Sequence, residues 1–356
     1  MKSILTGLLI ASFALVGCKK GKEEKKEEKN TVKVEKKVEV EKPKITPPVP
    51  ARKAPEGQTI EEFCKEKPKV IEGKTKKFKK HAKMEKLIKA CASKCKDMYD
   101  FKCKQYKELD QWVTDVWMNK IKMKKEERLE AYVTAINLLL DKDKKVAAAA
   151  IKGVINGYLY RHEWLVEKPE VLGVKYIRKM LKAVDNMTNS SDMGFLIQGA
   201  AELAPAFGIT DEVFKKAKEF LPKNKDLISY ALKNMPKYGN ACLITYVKEY
   251  AGDMKNILHA WSAVQAASVL VKNKIPERHK FEICTWSDSL IPEKISKEVL
   301  ENREYGYFAY RYFDLVQACK RYEAIPNLKK LLEIKDKDTK KKAEKVIAEM
   351  TALLPK

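Results

Sequence analysis

From residue 58 onward, apolar side chains recur at every third or fourth position, not at every second. In "DEVFKKAKEFL", Val213, Phe214, Ala217 and Leu221 fall on one side of a helix. In "KDLISYALKNM", Leu227, Ile228, Ala231, Leu232 and Met235 do the same. Alternating β-branched runs bounded by turn residues, the mark of strands, are missing, and glycine is scarce, with 14 in the whole chain. Pro205, Pro222, Pro236, Pro276 and Pro292 sit where neighbouring helices are expected to stop or start. The pattern predicts an all-α body over residues 58–356, long enough for a large core or several small ones.

Before that body the periodicity disappears. From Lys19 to Gly57 there is almost nothing to bury: lysine and glutamate alternate in blocks, and "EKPKITPPVPARKAPEG" then packs in five prolines. Such a composition cannot offset the entropy of folding and predicts a disordered spacer, extended in its proline-rich part. The Lys/Glu block as a single exposed helix is the alternative. Upstream again, Lys2 gives a basic start and Ile4 to Val16 form an apolar run. That run falls short of the roughly 20 residues a spanning helix needs. It has the form of an export signal.

The run ends at Leu15-Val16-Gly17-Cys18. This resembles the lipobox of bacterial lipoproteins, which implies cleavage before Cys18, a diacylglyceryl group on its thiol and a fatty acyl chain such as palmitate on its amine. Several acyl chains make a stable anchor, at about 0.8 kcal/mol per buried methylene. Residues 1–17 are therefore expected to be a signal peptide and 18–57 a lipidated cysteine with its tether. In that family an aspartate after the cysteine marks inner-membrane retention. Lys19 stands there instead, which implies export to the periplasm and the outer membrane of a bacterial cell envelope, with the leaflet left open.

Within the body, "AIPNLKKLLEIKDKDTKKKAEKVIAEM" from Ala324 and "AYVTAINLLLDKDKKVAAAAIKGVING" from Ala131 align without a gap. Leu138 and Leu139 match Leu331 and Leu332, Asp143 matches Asp336, Ala150 matches Ala343, and Val154 matches Ile347. The two segments resemble HEAT repeats: a first helix closing on a leucine pair, a turn with aspartate, and a second helix with a small residue for close packing. The earlier copy departs at Val133, where the later has Pro326, and at Ala147, where Lys340 keeps the basic residue frequent in that family. The resemblance implies an α-solenoid over residues 126–356, each unit burying its apolar face against its neighbours and the stack exposing a long surface. An ordinary helical domain and a closed helical toroid are the alternatives.

Export puts cysteines where disulfides persist. Beyond Cys18, four of seven (Cys64, Cys91, Cys95 and Cys103) fall at the start of the body, predicting a disulfide-stapled helical cap over residues 58–125. Cys91 and Cys95 lie one turn apart, so each is expected to bond to a different segment. Of the rest, Cys284 with Cys319 is the expected bond, leaving Cys242 as a buried thiol. No CxxC is present, and neither a metal nor a cofactor is expected.

The formal net charge is +24, and between Lys65 and Lys125 twenty lysines stand against eight acidic residues. The densest stretch includes Lys74, Lys76, Lys77, Lys79, Lys80 and Lys83, a candidate surface for anionic ligands. Only eight of 73 basic residues are arginine, which argues against nucleic-acid reading. Aromatics crowd in "REYGYFAYRYFDLVQACKRY", where Tyr305, Tyr307, Tyr310, Arg311 and Tyr312 have the composition of an interface hot spot. No GxSxG, HExxH, Walker loop or GxGxxG occurs, and His81, His162, His259 and His279 are far apart in sequence. No catalytic residue is identified. The expected function is a non-catalytic scaffold or adaptor binding another envelope protein. An anionic polymer or lipid headgroup bound by the lysine-rich cap is the alternative, and a toroidal glycan-active enzyme a weaker one.

Overall fold

A computed structural model describes residues 52–66, 69–73, 78–96, 100–159, 163–253 and 256–355. Cys18, the signal and most of the tether, Lys74, Lys76, Lys77 and His162 lie outside the described residues. Among those described, the chain is all-helical, and no helix is long and apolar enough to cross a membrane.

Three helices precede the main stack: α1 (Ile60–Lys65), α2 (Ala82–Lys94) and α3 (Lys104–Trp117). Helices then follow in pairs: α4 (Lys125–Leu138) with α5 (Lys144–Leu159) and, after the short α6 (Glu163–Glu167), α7 (Val174–Val184) with α8 (Ser190–Phe207). Next come α9 (Thr210–Glu219) with α10 (Leu227–Asn234) and α11 (Ile244–Ala251) with α12 (Ile257–Lys272). After α13 (Glu277–Ser287), α14 (Lys297–Glu301) precedes α15 (Arg303–Cys319), and α16 (Ile325–Lys330) precedes α17 (Lys337–Thr351). Each first helix packs on its second. The second helices α5, α8, α10, α12, α15 and α17 then touch one another in that order.

Local chemistry sets the helix ends. Asn189, Asn302 and Asp336 are N-caps whose side chains accept a backbone N–H of the first turn of α8, α15 and α17. The two HEAT-like segments fold in the same register, their second helices starting at Lys144 and Lys337. Asp143 accepts the Lys145 N–H at 2.8 Å and Asp336 the Thr339 N–H at 2.8 Å, while Ala150 and Ala343 are fully buried. Pro222, Pro236, Pro276 and Pro292 fall at or beyond helix boundaries. Pro205 does not: it lies inside the last turn of α8, which runs on to Phe207 before Gly208 closes it in the left-handed region. The densest contact in the stack is α12 on α15. There small residues (Ala260, Ala263, Ala267) on one helix accompany large ones (Phe308, Tyr312, Phe313) on the other, all fully buried.

The expected cap over residues 58–125 is divided between two places. Helices α2 and α3 pack on α5. The segment before them is a strap running along the stack in the opposite sense to the chain. Arg52 donates to the Lys320 carbonyl at 2.7 Å and pairs with Glu323 at 3.2 Å. Arg278 then donates to the Pro55 carbonyl, His279 Nε2 lies 3.1 Å from the Gln58 carbonyl, and the Ile60 N–H donates to Glu282. Cys64 is bonded to Cys242. Ile71 donates to the Phe207 carbonyl, Glu72 pairs with Arg178, and the His81 N–H donates to Thr134. Apart from the stretch on α13, partner numbers fall as strap numbers rise, from Lys320 to Thr134. Where the strap crosses the start of α7, Gly73 (φ +77°) meets Gly173 (φ +78°). A Cβ on Gly73 would stand 2.4 Å from the Gly173 Cα, so neither position tolerates a side chain.

The disulfides revise two expectations. Cys242 is bonded to Cys64 and is no free thiol; among the described residues the free cysteine is Cys91, buried 3.7 Å from Cys95 Sγ. Burial pushes its thiol pKa up. Cys95 bonds Cys103, and Cys284 bonds Cys319. A single bond therefore lies within the first four body cysteines, and Cys64 reaches across to the main stack.

Candidate interaction face

The outward sides of α10, α12, α15 and α17, which touch in that order, bring together one group of aromatic and cationic side chains. On α15, Tyr310, Arg311 and Asp314 lie three, four and seven residues after Tyr307 and share a face with it. Tyr307 and Tyr310 are 52% and 41% exposed. From α12, the half-buried Trp261 ring receives two cations: Lys233 Nζ of α10 at 4.0 Å from its centroid and the Arg311 guanidinium at 5.3 Å. From α17, Lys342 Nζ lies 3.3 Å from the Tyr310 ring centroid and 2.5 Å from Asp314. Arg303 covers Tyr307 at 5.8 Å. These are cation–π contacts, worth about 0.5–2 kcal/mol each depending on solvation.

Charge on this face does not balance. Asp314 pairs with Arg311 at 3.1 Å as well as with Lys342, so one carboxylate serves two cations. Lys233 has no carboxylate within salt-bridge distance among the described residues. Burial lowers its pKa to about 8; Arg311 adds to that fall and Asp226 opposes it. One turn after Trp261, the buried Gln265 Oε1 has no hydrogen-bond partner.

Of the aromatic cluster expected from sequence, this face contains Tyr307, Tyr310 and Arg311. Tyr305 and Tyr312 do not join them: both are buried, Tyr305 at 3% exposure and Tyr312 completely, and burial pushes the Tyr305 hydroxyl up to about 12. Lys233, Trp261 and Lys342 had no sequence signal, because each is an ordinary residue of an amphipathic helix until three helices bring them to one place.

The lysine-rich region has a different character. Lys79, Lys80 and Lys83 are exposed, with Lys80 paired to Glu85 at 2.6 Å and Lys83 over the Trp112 ring at 5.5 Å. Between α2 and α3 runs an open groove of about 730 Å³ lined by Lys83, Lys107, Glu108, Asp110, Trp112 and Asp115. Its carboxylates are taken: Asp110 by Lys152 at 2.6 Å, Asp115 by Lys120 at 3.4 Å and Glu108 by Lys104 at 3.8 Å. Positive and negative groups interleave there. The described histidines hold backbone: His81 caps α2 by accepting the Met84 N–H, His259 Nε2 lies 2.8 Å from the Lys225 carbonyl, and His279 holds the strap. Among the described residues, no group of three or more His, Cys, Asp or Glu could hold a metal ion.

No protein-family model matches the chain, and no curated protein does. Among solved structures, the crystal structure of an engineered protein is similar at 13% identity with a TM-score of 0.35, over 76% of this chain and 97% of that one.

Proposed function

We propose that this chain is a lipid-anchored, non-catalytic scaffold of a bacterial cell envelope, tied to the outer membrane through Cys18 and binding another envelope protein. The aromatic–cationic face of α10, α12, α15 and α17 carries the proposal. Trp, Tyr and Arg dominate it, and these are the residues over-represented at protein-binding hot spots. Neighbour-to-neighbour packing of the second helices, and the matched register of the segments from Ala131 and Ala324, support a HEAT-like solenoid as the means of presenting it. The sequence Leu15-Val16-Gly17-Cys18, after a basic start and a short apolar run, supports the anchor.

The test is photocrosslinking from position 310 in the lipidated protein within its own envelope, followed by washing at low and high salt. A defined protein adduct that survives high salt and is lost with Arg311→Ala is the expected result. Salt-labile polymer or lipid as the only product, attached through the lysine-rich region, would overturn it. So would no adduct at all.

A further inference from the structure

We infer that the partner presents an acidic protein segment whose carboxylates engage Lys233 and Arg311 at the Trp261 ring. This inference rests on the scaffold reading and names the chemistry of its partner.

The geometry is that of an incomplete ion cluster. Lys233 and Arg311 come from α10 and α15, and both reach the one ring supplied by the helix between them. Around them, Arg311 and Lys342 share one carboxylate, Asp314, while Lys233 has no salt bridge of its own. The groups facing Lys233 from the elements around it are known. Asp226 lies at the start of its own helix, Trp261 stands on α12 and Arg311 on α15; on the neighbouring α8, Glu202 is held by Lys237 at 2.6 Å. None gives Lys233 a salt bridge. A half-buried ammonium without a salt-bridge partner is a cost to the folded state. An incoming carboxylate removes it, and the half-buried setting beside Trp261 strengthens the resulting bond.

The face also selects the class of partner. An anionic polymer is held by dense charge, and the dense lysines lie on the other side of the sequence, before α4. Here cations are few and each is matched to an aromatic ring, which provides apolar contact area for side chains flanking the carboxylates. That combination fits a polypeptide. Lys233 also fits this reading: burial disfavours its ammonium where it stands, and a bound carboxylate offsets that cost.

The probe is a fluorescein-labelled hexaglutamate peptide, titrated by anisotropy against the detergent-solubilised full chain. Wild type is expected to bind it, Lys233→Met to weaken binding about tenfold, and Lys83→Met in the α2–α3 groove to leave it unchanged. Binding by wild type is expected to weaken between pH 7 and 9 as Lys233 loses its proton, and this pH dependence is expected to vanish in Lys233→Met. Thermal unfolding of each variant verifies that it is folded. Absent binding, or binding indifferent to Lys233→Met, overturns the inference. Lys233-dependent binding of inorganic polyphosphate with none of hexaglutamate overturns it in favour of a polyanion. Should the crosslink from position 310 persist in Lys233→Met, the acidic-segment inference fails while the scaffold reading stands.

Discussion

Removing the Cys64–Cys242 bond tests whether the strap is a long-range tie. The perturbation is Cys64→Ala with Cys242→Ala. In the folded protein little else changes at the strap, because Ile60, Gln58, Pro55 and Arg52 keep their backbone and side-chain partners. The effect therefore lies in the unfolded chain, where a link across a sequence separation of 178 restricts the coil. The chain-entropy relation gives about 5 kcal/mol for a loop of that length, and about 2.5 kcal/mol for the Cys95–Cys103 loop with its separation of 8. The smaller loop lies inside the larger and shortens it only slightly. Alanine is used at both pairs because Cys103 is the N-cap of α3 and serine there would add a cap of its own. Calorimetry without reductant should show the Cys64/Cys242 variant melting on the order of 10 °C below wild type, a fall about twice that of the Cys95/Cys103 variant. Equal falls, or the reverse order, would refute the reasoning.

Gly173→Ala should destabilise the protein by about 2 kcal/mol in urea unfolding. Its φ of +78° is strained for alanine, and the new Cβ would sit 2.7 Å from the Glu72 carbonyl oxygen; an unchanged midpoint would mean that the strap crossing is looser than described. Lys237→Met should cost about 3 kcal/mol near neutral pH by stranding the Glu202 carboxylate, which is 3% exposed. Burial raises the Glu202 pKa above 4.5, so the folded state holds that proton more tightly than the unfolded chain, and stability falls as pH rises above that value. The deficit should thus shrink from pH 8 towards pH 5, and a deficit independent of pH would show that Glu202 is not its source.

The helical body was legible because helix formation is written locally. Val213, Phe214 and Ala217, and the five apolar residues Leu227, Ile228, Ala231, Leu232 and Met235, are buried as their spacing predicts, whereas Leu221 is half-buried and Phe220 beside it is buried. Pro205 was misread for a local reason as well. A proline in the last turn of a helix forfeits one bond near an end that is frayed already, so α8 continues two residues past it. Cysteine pairing was legible only in part. Cys284 and Cys319, with a separation of 35, come from helices that pack together. Cys64 stands far closer in sequence to Cys91 than to Cys242, yet the strap carries it back along the stack. Nothing in the strap's own sequence announces that course, since its partners are single side chains and carbonyls spread along the stack, such as Glu282, Arg178 and the Phe207 and Lys320 carbonyls.

The face on α15 shows the same division at the level of the site. Its aromatics occur on both sides of the helix, so periodicity alone allowed Tyr305 and Tyr312 to be at the surface with Tyr307 and Tyr310. The choice belongs to α12, whose small residues accept one side of α15 and leave the other outward. Once that side is chosen, Arg311 is directed to Trp261, and α10 brings Lys233 to the same ring. A cation gains from an aromatic face but gains more from a carboxylate, and this one has the first without the second. A residue that burdens the fold in isolation and is relieved by a complementary charge is better explained by what binds there than by what folds there. On that ground Lys233, which no sequence pattern marked, is the side chain on which the reading of this face most depends.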